Sequence, residues 1–280
     1  MKKILNKSFD EERALYNLTD AEVDNCRFEG PADGESALKE SGLLSVKNSH
    51  FALRYPLWHC TDFSVENCEL AETCRAPLWY DKNGKLVGCK ICGVKTLRES
   101  SNVSVVDCNV DSIEFGWKCH NLDIVRSTIN SQYFLLMSQN ITMSDCHFSG
   151  KYSFQYVRNA EVSDCLLDTK DAFWHAENVV VKNCVVKGEY LGWYSDGLTF
   201  IDCQIFGTQP LCYCKNLKLI NCTMTGCDLS FEYSDVDADV IGNITSVKNP
   251  HSGKIVADGY GEIITEGAVM EDTCQIVVRK

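Results

Sequence analysis

The stretch NLKLINCTMTGCDLSF, residues 216–231, repeats a pattern that occurs several times upstream. In each copy apolar residues alternate with polar ones, and a cysteine follows an asparagine or aspartate. The earlier copies are GLTFIDCQIFG (197–207), NVVVKNCVVKG (178–188), ITMSDCHFSG (141–150) and NVSVVDCNV (102–110). Alternation with β-branched residues, without a 3.6-residue period, predicts short β-strands.

The residue that follows the Asn or Asp defines a cysteine column along the chain. Its members are Cys26, Ser49, Cys68, Cys89, Cys108, Ser127, Cys146, Cys165, Cys184, Cys203 and Cys222. From Cys89 onward every step is 19 residues, and the longer early steps indicate insertions after Cys26 and Cys68. A period of about 20 residues, too short to include a helix, predicts an all-β fold: a single-stranded right-handed parallel β-helix, or solenoid, of about 11–12 coils.

The pattern also predicts the domain organisation. We expect one β-helix domain over residues 1–280, with a partial coil or cap in 1–20 and regular coils in 21–235. Residues 236–280 lose the repeat, so we expect a C-terminal cap that protects the sheet edge.

A second column, just before each new strand, consists of Asn, Gly and Asp. Its members are Gly42, Asp62, Asn83, Asn102, Asn121, Asn140, Asn159, Asn178, Gly197, Asn216 and Asp235. These residue types tolerate positive φ, so the column predicts a bend in every coil.

The chain has 17 cysteines, an odd number, and its N-terminus lacks the apolar core of a signal peptide. We therefore expect free, buried thiols stacked at a corner, and a cytoplasmic location. CKIC (89–92) and CYC (212–214) could suggest a metal site, but Cys89 already belongs to the cysteine column. We expect no metal and no cofactor.

The net charge of −12 argues against a nucleic-acid partner, since such surfaces need basic clusters. No apolar run approaches the roughly 20 residues that cross a bilayer, so we expect no membrane partner.

Several segments resemble one family. They include ERALY (12–16), RYPLWHC (54–60), CRAPLWY (74–80), GEYLGW (188–193) and SVKNPHSGKI (246–255). The chain resembles an uncharacterised bacterial family, domain of unknown function 3737, and the resemblance implies a pectate-lyase-like right-handed β-helix. It implies no reaction and no catalytic residues.

All five tryptophans fall in one column, nine residues after the cysteine column when the coil with the insertion after Cys68 is aligned backward from its bend. If this column faces outward, rings mixed with charges form a surface suited to sugars. If it faces inward, the rings are core and the charges a solvated rim. The neighbouring apolar column, with Leu57, Leu97 and Leu135, leaves the direction open.

Candidate site residues come from this part of the coil. The catalytic candidates are Glu35 and Glu114 as acid and base, Arg75 and Arg98 as anion or transition-state binders, Lys95 and Asp171. The substrate-binding candidates are Lys39, Arg54, His59, Glu99, Lys118, Tyr152, His175, Glu189, Trp193, Asp228 and Glu232. They suggest a carbohydrate-directed protein, lyase-like or glycoside hydrolase-like, that binds an oligo- or polysaccharide. The alternative is a non-enzymatic solenoid scaffold that binds a protein partner or associates with itself through the aromatic face.

Overall fold

The computed structural model describes residues 1–280, which form two compact units, 1–147 and 148–280. The fold is all-β, and in each unit the strands pair in parallel with those of the following coil, as predicted for a right-handed β-solenoid. The chain makes about 15 turns of roughly 19 residues. This number exceeds the expected 11–12 because both terminal segments also coil: Lys2–Leu5 pairs with residues 21–24, and residues 235–239 pair with 252–256.

The first unit has up to three short strands in each coil. The strands that precede the cysteine column are Lys2–Leu5, Thr19–Asp24, Gly42–Lys47, Thr61–Glu66, Lys82–Val87, Ser101–Val106, His120–Val125 and Gln139–Ser144. The strands that follow it are Ser8–Phe9, Arg27–Phe28, His50–Phe51, Glu69–Leu70, Lys90–Ile91, Asn109–Asp111, Thr128–Ser131 and His147–Gly150. A separate five-stranded sheet contains Leu57–Trp58, Leu78–Trp79, Thr96–Arg98, Glu114–Trp117 and Tyr133–Phe134.

The second unit continues the same repeat of strands, and its register then changes. Its strands are Arg158–Ser163, Leu166–Asp168, Glu177–Lys182, Val185–Lys187, Thr199–Ile201, Gln204–Phe206, Leu217–Thr225, Asp235–Ile241, Asn243–Lys248, Ser252–Ala257, Gly259–Ile264 and Gln275–Val278. A bulge interrupts the pairing of the strand 217–225 with the strand 235–241, between Leu219 and Cys222. The segment expected to form a cap thus begins where the 19-residue repeat is lost.

The register follows the sequence repeat. Val103 pairs with Leu122 and Val105 with Ile124, each 19 residues on. These side chains are buried, because alternate residues of a strand point to the same face. The interior therefore fills with apolar stacks, as where Phe28 stacks on Phe51 with ring centroids 4.6 Å apart.

All members of the cysteine column are buried, and all 17 cysteines are free thiols, as expected. The column also forms hydrogen bonds between coils. The Ser49 N–H donates to Cys68 Sγ (3.3 Å), and the Cys68 thiol donates to the Glu66 carbonyl (3.3 Å). One small side chain thus satisfies a backbone donor and a backbone acceptor at each corner. Burial raises the pKa of Cys68 to about 11.

A second buried column, which was not predicted from the sequence, also forms hydrogen bonds to the backbone, at another corner of the coil. In the first unit this corner column consists of Ser41, Cys60, Asp81, Ser100, Cys119 and Ser138. The Asp81 N–H donates to Ser100 Oγ (3.1 Å), and that hydroxyl donates to the Arg98 carbonyl (2.9 Å). The second unit repeats the arrangement where the Cys214 N–H donates to Ser234 Oγ (2.9 Å).

The bend column has the predicted positive φ except at Gly42 and Asp235, with values of 51–56° at the six asparagines Asn102, Asn121, Asn140, Asn159, Asn178 and Asn216. The placement of Gly42 in this column was wrong by one residue. Gly42 pairs with Thr61, and the positive φ of this coil falls on Leu43 (52°). In the first unit the Asn side chains also bond to one another, since Asn121 Nδ2 donates to Asn102 Oδ1 (2.8 Å).

Candidate functional site

The tryptophan column faces outward. All five tryptophans are half-buried, whereas their apolar neighbours Leu57, Leu97 and Phe173 are buried completely. The backbone explains why strand alternation fails here: Lys95, Leu97 and Glu99 all have positive φ, so every second residue is left-handed. Phe231, which lies nine residues after Cys222 and so continues this column, is an exception: it is buried completely, in the coil where the repeat ends.

Five side chains from consecutive coils of the first unit stack into a tryptophan–cation column: Lys39, Trp58, Trp79, Arg98 and Trp117. Lys39 Nζ lies 4.8 Å from the centre of the Trp58 ring, and Trp58 stacks on Trp79 at 5.7 Å. The Arg98 guanidinium lies between Trp79 (5.1 Å) and Trp117 (4.7 Å). The inner ring faces are therefore covered by neighbours, and what remains for solvent is ring edges.

Arg98 also forms an ion pair. Its Nη1 lies 3.2 Å from Glu114 Oε2, with 16% and 18% of the two side chains exposed. Both residues were candidates for catalysis, as a transition-state binder and as an acid or base. Each instead neutralises the other, and the two cation–π contacts fix the guanidinium in place.

The proposed acid–base pair Glu35 and Glu114 does not converge. Glu35 pairs with Arg54 (3.5 Å), which also reaches Asp33 (3.2 Å). Glu35 and Glu114 lie four coils apart, roughly 19 Å at about 4.8 Å per coil. Two carboxyl groups that cleave one glycosidic bond lie within about 10 Å of each other, so this pair cannot share a substrate bond.

The other candidates of the first unit spread along the same face. His59 is exposed and stacks on Tyr80, with centroids 4.9 Å apart. Glu99, Lys118 and Arg75 are exposed, and Lys95 is half-buried. None of these five residues takes part in an ion pair.

Five rings of the second unit form a tyrosine row: Tyr156, His175, Tyr194, Tyr213 and Tyr233. His175 stacks on Tyr156 (4.8 Å) and on Tyr194 (5.1 Å), in each case with the planes 9° apart. Tyr194 stacks on Tyr213 at 4.8 Å, and Tyr233 follows at 5.8 Å with a tilt of 43°. Tyr156 and Tyr194 are 45% and 47% exposed. Hydroxyl and imidazole edges thus project outward once per coil.

Trp174 and Trp193 support this row from beside it. Their rings stack at 5.5 Å, and their indole N–H groups donate to the carbonyls of Tyr190 (2.6 Å) and Gln209 (2.8 Å). Trp193 also meets Tyr213 edge to face at 5.5 Å. The predicted binding residue Trp193 therefore fixes the exposed rings and is itself half-buried.

Asp171 and Glu189 come from adjacent coils of the second unit, since the Asp171 N–H donates to the Glu189 carbonyl (3.0 Å). Burial raises the pKa of the Asp171 carboxyl, and the charge of Glu189 raises it further, while Lys170 lowers it. Glu189 is exposed and pairs with Lys170 at 2.8 Å. Two neighbouring carboxyl groups thus have different environments, which is a feature of acid–base sites.

The remaining candidates lie at the two ends of the tyrosine row, Tyr152 in the coil of Tyr156 and Asp228 and Glu232 in the coil of Tyr233. Glu232 pairs with Lys248 at 2.8 Å, and this pairing raises the pKa of Lys248. Asp228 and Tyr152 are half-buried. Among the acidic candidates of this unit, Glu189 and Glu232 are thus each compensated by a lysine.

A cavity of about 390 Å³ lies elsewhere on the first unit and contains none of the candidate residues. Its lining consists of Glu69, Ala71, Glu72, Lys90, Cys92, Val94, Asp111 and Ile113. The cavity was not predicted, and the feature of the sequence that could have indicated it is the insertion after Cys68. No group of three or more His, Cys, Asp or Glu side chains is arranged to hold a metal ion. The structure contains no helix with the length and apolarity that a bilayer crossing requires.

Several solved structures are similar to this chain at low identity. The mannuronan C-5 epimerase AlgE4 A-module of Azotobacter vinelandii has 8% identity and a TM-score of 0.33, covering 99% of this chain and 90% of that one. PfbA, a surface adhesin of Streptococcus pneumoniae, has 7% identity and a TM-score of 0.34, covering 98% and 81%. A mutant of the periplasmic alginate epimerase AlgG has 9% identity and a TM-score of 0.31, covering 92% and 77%.

No curated protein matches the sequence. A family model, described as protein of unknown function (DUF3737), matches residues 2–277. The match covers nearly the whole chain, and the chain therefore belongs to the DUF3737 family.

Proposed function

We propose that this protein is a non-enzymatic solenoid that associates with a second copy of itself through the tyrosine row. The observation that carries the proposal is the row itself: five rings in register, with Tyr156 and Tyr194 nearly half exposed. Tyrosine is enriched in protein interfaces because it offers a large apolar surface and a polar tip at low conformational cost.

Charge supports a copy of this chain as the occupant. The chain carries −12, so two copies repel each other in general. Beside the tyrosine row, however, Lys170 neutralises Glu189 and Lys248 neutralises Glu232. A locally compensated aromatic surface is where two such chains can meet with the least repulsion, and the core of an interface is depleted of net charge.

The test is sedimentation velocity over a range of protein concentrations, for the wild type and for Tyr194→Asp. We expect the wild type to dimerise, more strongly at high salt because salt screens the general repulsion, and Tyr194→Asp to stay monomeric. The matched control is Tyr16→Asp, since Tyr16 is 48% exposed but belongs to no ring row. A wild type that is monomeric at every concentration and salt level would refute the proposal.

A carbohydrate-directed enzyme is the second candidate, and Asp171 is the observation that favours it. A buried carboxyl with a raised pKa next to the paired carboxylate Glu189 is the combination that a general acid needs. In the tyrosine row, hydroxyl groups rather than ring faces would contact a sugar, since the faces are stacked. Release of reducing ends from a panel of oligosaccharides, lost in Asp171→Asn, would support this candidate. Absence of any product with the wild type would count against it.

A further inference from the structure

Asp81 is the one carboxylic acid in a corner column of hydroxyl and thiol groups. It is completely buried, between Cys60 of the preceding coil and Ser100 of the following one. Its Oδ1 accepts the Cys60 N–H at 2.7 Å, as a Ser or Cys side chain does at the other corners. Its Oδ2 is buried and has no hydrogen-bond partner.

The rest of the column shows what the second oxygen lacks. Ser100 donates its proton to the Arg98 carbonyl, and the Cys60 and Cys119 thiols donate to the carbonyls of Leu38 (3.2 Å) and Leu97 (3.3 Å). Each side chain at this corner is both an acceptor and a donor. A carboxylate only accepts, whereas a protonated carboxyl can do both.

No cation compensates a charge at this position. The titratable groups of the column are the Cys60 and Cys119 thiols, both buried. The exposed residues that directly precede members of the column are Glu40, His59, Tyr80, Glu99, Lys118 and Met137, and the exposed Lys82 directly follows Asp81. None of the ion pairs involves Asp81. Burial raises the pKa of the Asp81 carboxyl well above its usual range, and only backbone hydrogen bonds from Cys60 and Trp79 oppose this.

We propose that Asp81 keeps its proton in the folded protein at neutral pH, and that its ionisation at higher pH opens the corner between Cys60 and Ser100. The protein then contains a buried pH-sensitive point inside the first unit, one residue after the exposed Tyr80. An ionised carboxylate at this position has neither water nor a counter-ion, so the coil must separate to hydrate it.

The sign of the effect follows from linkage. In the unfolded chain Asp81 ionises near its ordinary pKa of about 3.9, and in the folded chain it ionises at a higher pH. Its contribution to stability is full below the unfolded pKa and is lost as pH rises toward the folded value. Between the two values, the unfolding equilibrium constant increases about tenfold per pH unit through this one group.

The first test compares wild type with Asp81→Ser, which inserts the residue that the column uses elsewhere. Unfolding in urea at pH 5, 6, 7 and 8 should show Asp81→Ser gaining on the wild type by up to about tenfold per pH unit in the unfolding constant. Asp81→Asn, which cannot ionise and keeps the shape, should show the same trend. A difference that does not change with pH would overturn the proposal.

The second test needs no change at Asp81. The infrared spectrum of Asp171→Asn at pH 7 should contain the carbonyl band of a protonated carboxyl. This variant lacks Asp171, the other carboxyl with a raised pKa, so the band is assigned to Asp81. The band should disappear as the pH is raised, together with hydrogen-exchange protection of the Cys60 amide beyond the change at other buried amides. A spectrum without the band at pH 7 would overturn the proposal even if both variants at Asp81 failed to fold.

Discussion

The guanidinium of Arg98 and the carboxylate of Glu114 lie 3.2 Å apart, and more than four-fifths of each side chain is buried. A cation packed between two indoles and against a carboxylate stabilises the stack of coils. Removing it leaves Glu114 without its counter-ion and the Trp79 and Trp117 rings without the group that packs between them.

We expect Arg98→Ala to lower the free energy of unfolding by about 3 kcal/mol, since it removes a largely buried ion pair and two cation–π contacts. Urea denaturation measures this loss. Arg75→Ala is the control: Arg75 is exposed and belongs to no ion pair, so its loss should change stability by no more than about 0.5 kcal/mol. Equal effects of the two variants would contradict a structural role for Arg98.

The thiols should react in two classes. Cys92 and Cys274 are partly exposed, and the other fifteen cysteines are buried. Labelling of the native protein with a thiol reagent should therefore show two fast groups, and the double variant Cys92→Ser, Cys274→Ser should show none. Fast reaction of many thiols in the double variant would contradict the stacked interior.

The bend column predicts a difference between two substitutions at one position. Asn140 has φ 56°, so Asn140→Val should destabilise by about 1–3 kcal/mol through backbone strain. Asn140→Gly should cost less, because glycine adopts this conformation freely, although it loses the hydrogen bond from Nδ2 to Asn121 Oδ1 (2.9 Å). Thermal unfolding of both variants compares them, and the reverse order would refute the assignment.

Ser100 tests the corner column. Ser100→Ala leaves the buried Asp81 N–H without an acceptor and should cost about 1–3 kcal/mol in unfolding free energy. Ser100→Cys should cost much less, because the Cys60 and Cys119 thiols occupy the same column and donate to backbone carbonyls, as the Ser100 hydroxyl does. If denaturation curves show both variants to be equally stable, the hydrogen bonds of this column contribute nothing.

The sequence predicted the fold because its repeat is a period in the chain, and a period is visible without coordinates. Cys108 and Ser127 could be aligned by their spacing, and the Asn121 bend by its residue type. The corner column could not be recognised in this way, because its Ser, Cys and Asp residues share a hydrogen-bonding role but not a residue type. Nothing in the sequence distinguishes Asp81 from a surface acid.

The site was harder to predict for a physical reason. Strand alternation tells which residues face inward only while the backbone stays extended. In the part of the coil that contains Leu97 and Trp117, residues with left-handed backbone alternate with others. Leu97 can therefore lie in the core while its neighbour Arg98 lies at the surface. The pairing of Arg98 with Glu114 depends on side chains of adjacent coils, which the sequence analysis treated as independent columns.

The two buried hydrogen-bonding columns have a consequence for how the chain can change in length. Each corner needs a partner one full coil away, so one residue added between two corners shifts every later partner out of place. Extra residues fit only where the chain leaves the columns, as after Cys26 and Cys68. A complete 19-residue coil, by contrast, brings its own corners. Duplication or deletion of residues 102–120 as a block is therefore the change in length that this architecture tolerates best.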